Sequence, residues 1–209
     1  MSKQRVVVVG NGMVGHKFID NLVNDTDADQ YEIVTFSEEP RLAYDRVQLS
    51  SYFSGATAED LAMTDEGYYN DKGVNFVLND KVSELNTTEN YVVTESGRKE
   101  SYDKLVLATG SFPFVPPIPG NDQEHCLVYR TIEDLEAISA SAKQSKVGVV
   151  VGGGLLGLEA ANALKAAGLE THVVEFAPRL MAVQLDEGGG TLLRRKIEDL
   201  GVNVHTEKA

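Results

Sequence analysis

Two glycine turns of identical spacing constrain this chain more than anything else in it. Val6-Val7-Val8-Val9 runs into Gly10-Asn11-Gly12-Met13-Val14-Gly15, and Val149-Val150-Val151 runs into Gly152-Gly153-Gly154-Leu155-Leu156-Gly157. A short β-branched run suits a strand buried on both faces of a parallel sheet, and G-x-G-x-x-G directly after it turns the chain into a helix. The first glycine permits the tight turn. The second lets backbone N–H groups approach a pyrophosphate, the third lets helix and strand pack closely, and the helix N-terminus adds partial positive charge. One such match is a weak signal. Two imply a pair of dinucleotide sites and an α/β fold of two Rossmann-like units with parallel sheets.

The intervening sequence supports that frame. After the first turn Val14, Phe18 and Leu22 recur at helical spacing, and Asn24-Asp25-Thr26-Asp27 ends the helix. A strand over 31–36 follows, with Ser37, Glu38 and Glu39 at its end. Glu38 is the choice for the ribose hydroxyls, because a carboxylate accepts two hydrogen bonds, the alternative being that these polar residues form a solvated turn. The stretch 40–53 has no clean period and reads as a loop with a short helix placed to cover a bound cofactor. Within it Arg46 serves either a pyrophosphate or electron-rich ring, or an ion pair with Asp45 or Glu39. Residues 55–80 read as a helix-rich excursion ending in a strand over 74–78. The alternation from Val82 to Ser101, turning at Gly97, reads as a small antiparallel β insertion. A buried strand then ends in the small turn Ala108-Thr109-Gly110, and Pro113, Pro116, Pro117 and Pro119 mark an exit. The expected domains are therefore 1–118, a connecting segment with a helix over 119–145, and a second dinucleotide unit over 146–209.

In that second unit a helix over 158–167 ends at Gly168, and the strand 171–174 runs straight into Glu175, a better-placed ribose ligand than Glu38. A carboxylate there repels a 2′-phosphate, so NADH is expected in preference to NADPH. Leu192, Leu193, Ile197 and Leu200 form a last amphipathic helix before a strand at 202–204. The second unit reads as truncated.

A formal net charge of −13 argues against nucleic acid or an anionic membrane as partner. No run approaches the length of a spanning helix, and the lone Cys126 excludes an internal disulfide framework and a multi-cysteine metal site here. Cys126 is expected to be a buried small hydrophobe, and the location cytoplasmic.

The order of these motifs resembles the two-dinucleotide-domain flavoprotein reductases of the pyridine nucleotide-disulfide oxidoreductase superfamily. Gly10–His16, Glu38-Glu39-Pro40, Tyr44-Asp45-Arg46, Leu49–Phe53, Tyr129–Leu135, Gly152–Glu159 and Glu175–Pro178 resemble, more narrowly, the N-terminal part of the assimilatory NAD(P)H-dependent nitrite reductase large-subunit family. The resemblance implies that this is a fragment. It puts Gly10, Gly12, Met13, Gly15 and Glu38 on FAD, Arg46 near the flavin, the Val82 backbone on adenine, and Ala108, Thr109 and Gly110 by the pyrophosphate. Gly152, Gly154, Leu155, Leu156, Gly157 and Glu175 would hold NADH, with Glu159 near the nicotinamide, although a glutamate there also suits the helix dipole. The cysteines of the disulfide-reducing and peroxidase relatives are missing, since the corresponding loop reads Ala43-Tyr44-Asp45. Serine at position 51 replaces a lysine of the ferredoxin-reductase relatives.

The implied activity is hydride transfer from NADH to FAD, then electron flow to iron–sulfur and sirohaem centres that reduce nitrite to ammonium. Those centres would lie in downstream domains or a small subunit, with no metal site in this segment. Without the later strand turn that completes the flavin site in such proteins, weak or absent FAD binding is expected of the segment alone. A homodimer stays open. The alternatives are a free-standing NADH:rubredoxin or ferredoxin reductase, an NADH oxidase, and a non-catalytic NADH-sensing module.

Overall fold

The computed structural model describes residues 3–208. Contacts divide the chain into two units: one is the chain up to Arg46 with Ala58–Phe112, the other Val47–Thr57 with the chain from Pro113 on. Relative to a division at 118, this assigns 47–57 and 113–118 to the second unit.

The first unit holds β1 (Gln4–Val9), α1 (Met13–Val23), β2 (Tyr31–Phe36), α2 (Ala58–Leu61), α3 (Glu66–Asp71), β3 (Val74–Val77), β4 (Val82–Asn86), β5 (Tyr91–Thr94), β6 (Lys99–Ser101) and β7 (Lys104–Leu107). A parallel sheet runs in the order β3-β2-β1-β7, and β4-β5-β6 form a separate antiparallel sheet. The valine run explains why β1 is central. Val6 and Val8 pack with Ile19, Ile33, Tyr69 and Val74, while Val7 and Val9 pack with Val34, Phe36 and Val92 of the antiparallel sheet. Each such side chain, taken fully out of water, contributes about 1.5–3 kcal/mol.

The second unit holds α4 (Ile132–Ala142), β8 (Val147–Val151), α5 (Leu155–Ala166), β9 (Glu170–Val174), α6 (Glu187–Asp199) and β10 (Val202–His205), with the parallel order β10-β9-β8. Thr131 caps α4 in a reciprocal capping box with Asp134. The core joins Ala161, Val173, Leu180, Val202 and Val204 with Val150, Leu158, Leu193 and Ile197.

Several expectations need correction. In α1 the inward stripe is Gly15, His16 and Ile19, whereas Val14 is 73% exposed and Phe18 also lies outward. The glycine that must touch the strand sets the helix rotation, and the apolar spacing does not. The helix expected over 158–167, α5, starts earlier, at Leu155, because Gly154 is its N-cap. In β8 only one face is covered among the described residues, leaving Val147, Val149 and Val151 exposed. Leu192 and Leu200 also face solvent, with Leu193 and Ile197 packing α6. Cys126 is exposed, because it sits in a run of turns where its thiol reaches only the Gly120 carbonyl.

Candidate functional site

The two glycine turns fold to one design. Gly10 and Gly152 take φ of +104° and +114°, a region that side chains rarely adopt. Their N–H groups donate to the last carbonyl of the neighbouring strand, Gly10 to Phe36 at 2.9 Å and Gly152 to Val174 at 2.8 Å. A Cβ on Gly15 would overlap the Gly10 carbonyl oxygen, and one on Gly157 would overlap that of Gly152. Helix and strand can therefore meet only through glycine. The middle glycine is the opposite case: around Gly154 nothing lies within 4 Å of a Cβ position, and around Gly12 only the Arg46 Nε does, at 4.0 Å. Neither turn is plugged by a side chain at that position.

Both helices also start bare. Asp65, Thr131 and Asp186 cap α3, α4 and α6 with side-chain oxygens, whereas Gly12 and Gly154 leave α1 and α5 with no side-chain cap. The first N–H groups of a helix lack partners within it, and together with the dipole they form a seat for an anion. Met13 opens α1, and Leu155 and Leu156, both largely exposed, open α5.

Beside the first turn, Arg46 pairs with Glu39, which also accepts a hydrogen bond from the Tyr44 hydroxyl at 2.7 Å; the guanidinium carbon lies 4.7 Å from the Tyr44 ring centroid. Of the two readings of Arg46, the ion pair is present, and it leaves the side chain close to Gly12. Glu38 is exposed and meets Lys81 at 3.4 Å. Val82 opens β4 next to that lysine. The Ala108 amide donates to the Val9 carbonyl at 2.8 Å, so Ala108, Thr109 and Gly110 follow the end of β7 alongside the first turn.

At the second turn Glu175 is a closing clamp. Its Oε2 accepts from the Gly153 amide at 2.6 Å and its Oε1 from the Ala177 amide at 2.7 Å. Glu159 sits half-buried in the first turns of α5. Its negative charge adds to burial in pushing the Tyr129 hydroxyl up to about 12. That hydroxyl has no hydrogen-bond partner among the described residues, and its ring stacks on Phe53.

The spacing rules missed a buried polar cluster behind the first turn. The Asn11 amide donates to Thr35 Oγ1 at 3.3 Å and to the Tyr69 hydroxyl at 3.1 Å, and accepts from the Ala43 amide at 3.0 Å; the Tyr69 oxygen lies 3.0 Å from His16 Nδ1. Burial pushes Tyr69 up to about 12 and His16 below its ordinary value. An asparagine between two glycines, a helical histidine and a tyrosine downstream were the only signals. No group of three or more potential metal ligands occurs among the described residues. In the first unit, a polar cavity of about 450 Å3 lined by Glu32, Asn75, Arg98 and Glu100 lies at the β2–β3 side of the sheet.

Two uncapped glycine turns on parallel sheets suit a dinucleotide-dependent oxidoreductase, and the chain belongs to the pyridine nucleotide-disulphide oxidoreductase family, which it matches over residues 4–209. Within it, the chain is 57% identical over its whole length to the nitrite reductase (NADH) large subunit of Escherichia coli (strain K12), covering 25% of that protein. It is 54% identical, again over its whole length, to the nitrite reductase [NAD(P)H] large subunit of Klebsiella oxytoca, covering 22% of it. The chain thus spans about a quarter of the length of these relatives. The fold is shared with NADH:rubredoxin oxidoreductase from Clostridium acetobutylicum, with a TM-score of 0.90 at 22% identity over all of this chain and 54% of that one.

Proposed function

We propose that this chain is the NADH-oxidising flavin module of a nitrite reductase large subunit. FAD is held in the first cradle through Gly10, Gly12, Met13, Gly15, Glu38, Arg46, Val82 and the 108–110 turn, and NADH in the second through Gly152, Gly154, Leu155, Leu156, Gly157 and Glu175. The observation that carries the reading is the pair of turns whose middle glycines face open space under uncapped helices. Bound flavin supplies two-electron acceptance from the nicotinamide and one-electron release to a metal centre.

The chain's own residues bind and orient. Uncapped N–H groups meet the pyrophosphates, and Arg46, held still by Glu39 and Tyr44, adds charge beside the first. Glu175 keeps the Gly153 amide in place and opposes a 2′-phosphate, which favours NADH over NADPH. Glu159 lies on the nicotinamide side of the second cradle. Iron–sulfur and sirohaem centres outside this segment, in downstream domains or a small subunit, would take the electrons and supply the reduction of nitrite to ammonium. A cytoplasmic setting suits an NADH consumer, and no helix among the described residues is long and apolar enough to cross a membrane.

The full-length protein should carry FAD, lose its yellow absorbance on anaerobic NADH addition, and regain it with nitrite. A flavin-free protein that oxidises no NADH would overturn the reading. Reoxidation by oxygen or rubredoxin alone would redirect it to a free-standing reductase or oxidase.

A further inference from the structure

We propose that Asn11 is a positioning residue that locks the first glycine turn to the loop carrying Arg46, so that both address one diphosphate. The inference rests on the reading of the first cradle as the FAD site. Asn11 is 5% exposed, and its amide leaves no freedom of orientation. Nδ2 faces two hydroxyl oxygens, Thr35 on β2 and Tyr69 on α3, while Oδ1 faces the Ala43 N–H. A flipped amide would set donor against donor at Ala43.

The hydroxyl behind it is fixed in turn. Tyr69 accepts from Asn11 at 3.1 Å, and its oxygen lies 3.0 Å from His16 Nδ1, so the phenol bridges the asparagine and the histidine. One side chain thus gathers the turn, β2, α3 and the loop. That loop is gripped on its other flank by the Met63 amide on the Ala43 carbonyl and the Asp45 amide on the Leu61 carbonyl, each at 2.9 Å. Three residues beyond Ala43, Arg46 reaches to 4.0 Å from the Gly12 Cβ position.

The second turn makes the contrast. Its middle residue is Gly153, which has no side chain to grip anything and is held from outside by Glu175. Only the first turn is tied through its own side chain to a loop bearing a cation.

The test uses the full-length holoenzyme, with FAD affinity read by flavin fluorescence after apoprotein reconstitution and NADH affinity read separately. Asn11→Ala should weaken FAD by about tenfold or more and leave NADH affinity within about twofold. In an Arg46→Ala background the same substitution should add less than about twofold, because the guanidinium that the loop sets beside Gly12 is then gone. A role in folding alone would not produce that non-additivity. Tyr69→Phe removes only the hydroxyl and should weaken FAD by a few-fold, which keeps the idea testable if Asn11→Ala does not fold. Unchanged FAD affinity in either folded variant, or a full Asn11→Ala loss persisting without Arg46, overturns the inference while leaving the cradle reading intact. A wild-type protein with no affinity for FAD removes the cradle reading itself.

Discussion

Gly12→Ala and Gly15→Ala should fail in opposite ways, although the two glycines stand in one six-residue motif. At Gly12 the backbone is extended, with φ −90° and ψ −166°, which alanine adopts freely, and a new Cβ meets only Arg46 Nε at 4.0 Å. Alanine is a poorer N-cap than glycine, so the cost is up to about 1 kcal/mol, or a fall in Tm of roughly 2–4 °C in a domain this size. The methyl group nevertheless enters the space through which the pyrophosphate of the proposed FAD site would approach the helix N–H groups. Losing two charge-assisted hydrogen bonds of about 1.5 kcal/mol each would weaken FAD by roughly a hundredfold. At Gly15 the Cβ overlaps the Gly10 carbonyl oxygen, so α1 must lift from β1. Overpacking of this kind costs about 1–3 kcal/mol, and loss of the α1 packing adds to it, so a fall in Tm of about 6–12 °C is expected. Thermal unfolding of flavin-stripped protein separates stability from ligand linkage, and fluorescence titration then gives the affinity. An alanine at 12 that binds FAD like the wild type, or an alanine at 15 that unfolds at the wild-type temperature, would refute the reasoning.

Other consequences follow from the same geometry. Gly154→Ala should raise the KM for NADH at little cost in Tm, since nothing lies within 4 Å of its Cβ position; unchanged NADH kinetics would count against the second cradle. Ile19→Ala empties a fully buried site between Val6, Val8, Ile33 and Tyr69 and should cost about 2–5 kcal/mol in urea unfolding. Folding depresses the His16 pKa through burial, so the unfolded chain takes up a proton first on acidification. The stability His16 contributes is therefore present above its unfolded pKa of about 6.5 and is lost as pH falls through the folded value, and His16→Gln should flatten that limb of a stability–pH curve. Glu175→Gln keeps the shape but drops the charge. It should narrow the preference for NADH over NADPH, measured as a ratio of kcat/KM values.

What the sequence disclosed is the part written in local rules. The strands that end in each turn and the hairpin turning at Gly97 depend on residues within a few positions of each other. The rotation of α1 was not legible in the spacing of Val14, Phe18 and Leu22: Leu22 packs against the core while Val14 and Phe18 lie outward, because backbone contact at Gly15 dictates which face turns inward. Hydrophobicity ranks side chains, and here a missing one decides. Cys126 was misplaced because a residue type's usual burial says little about a segment built of turns. The Asn11 cluster was illegible for another reason: its partners lie 24, 32 and 58 residues away, and no periodicity links them.

The Arg46–Glu39–Tyr44 arrangement has a bearing on ionic strength. Arg46 arrives already matched by a carboxylate and leaning on an aromatic ring, so an incoming anion gains less raw attraction than from an unattended cation. What it gains is a donor that needs no freezing. Since a half-buried, pre-paired charge is poorly shielded by dissolved salt, retention of the cofactor should hold nearly constant from dilute buffer to physiological salt, unlike capture by loose surface lysines.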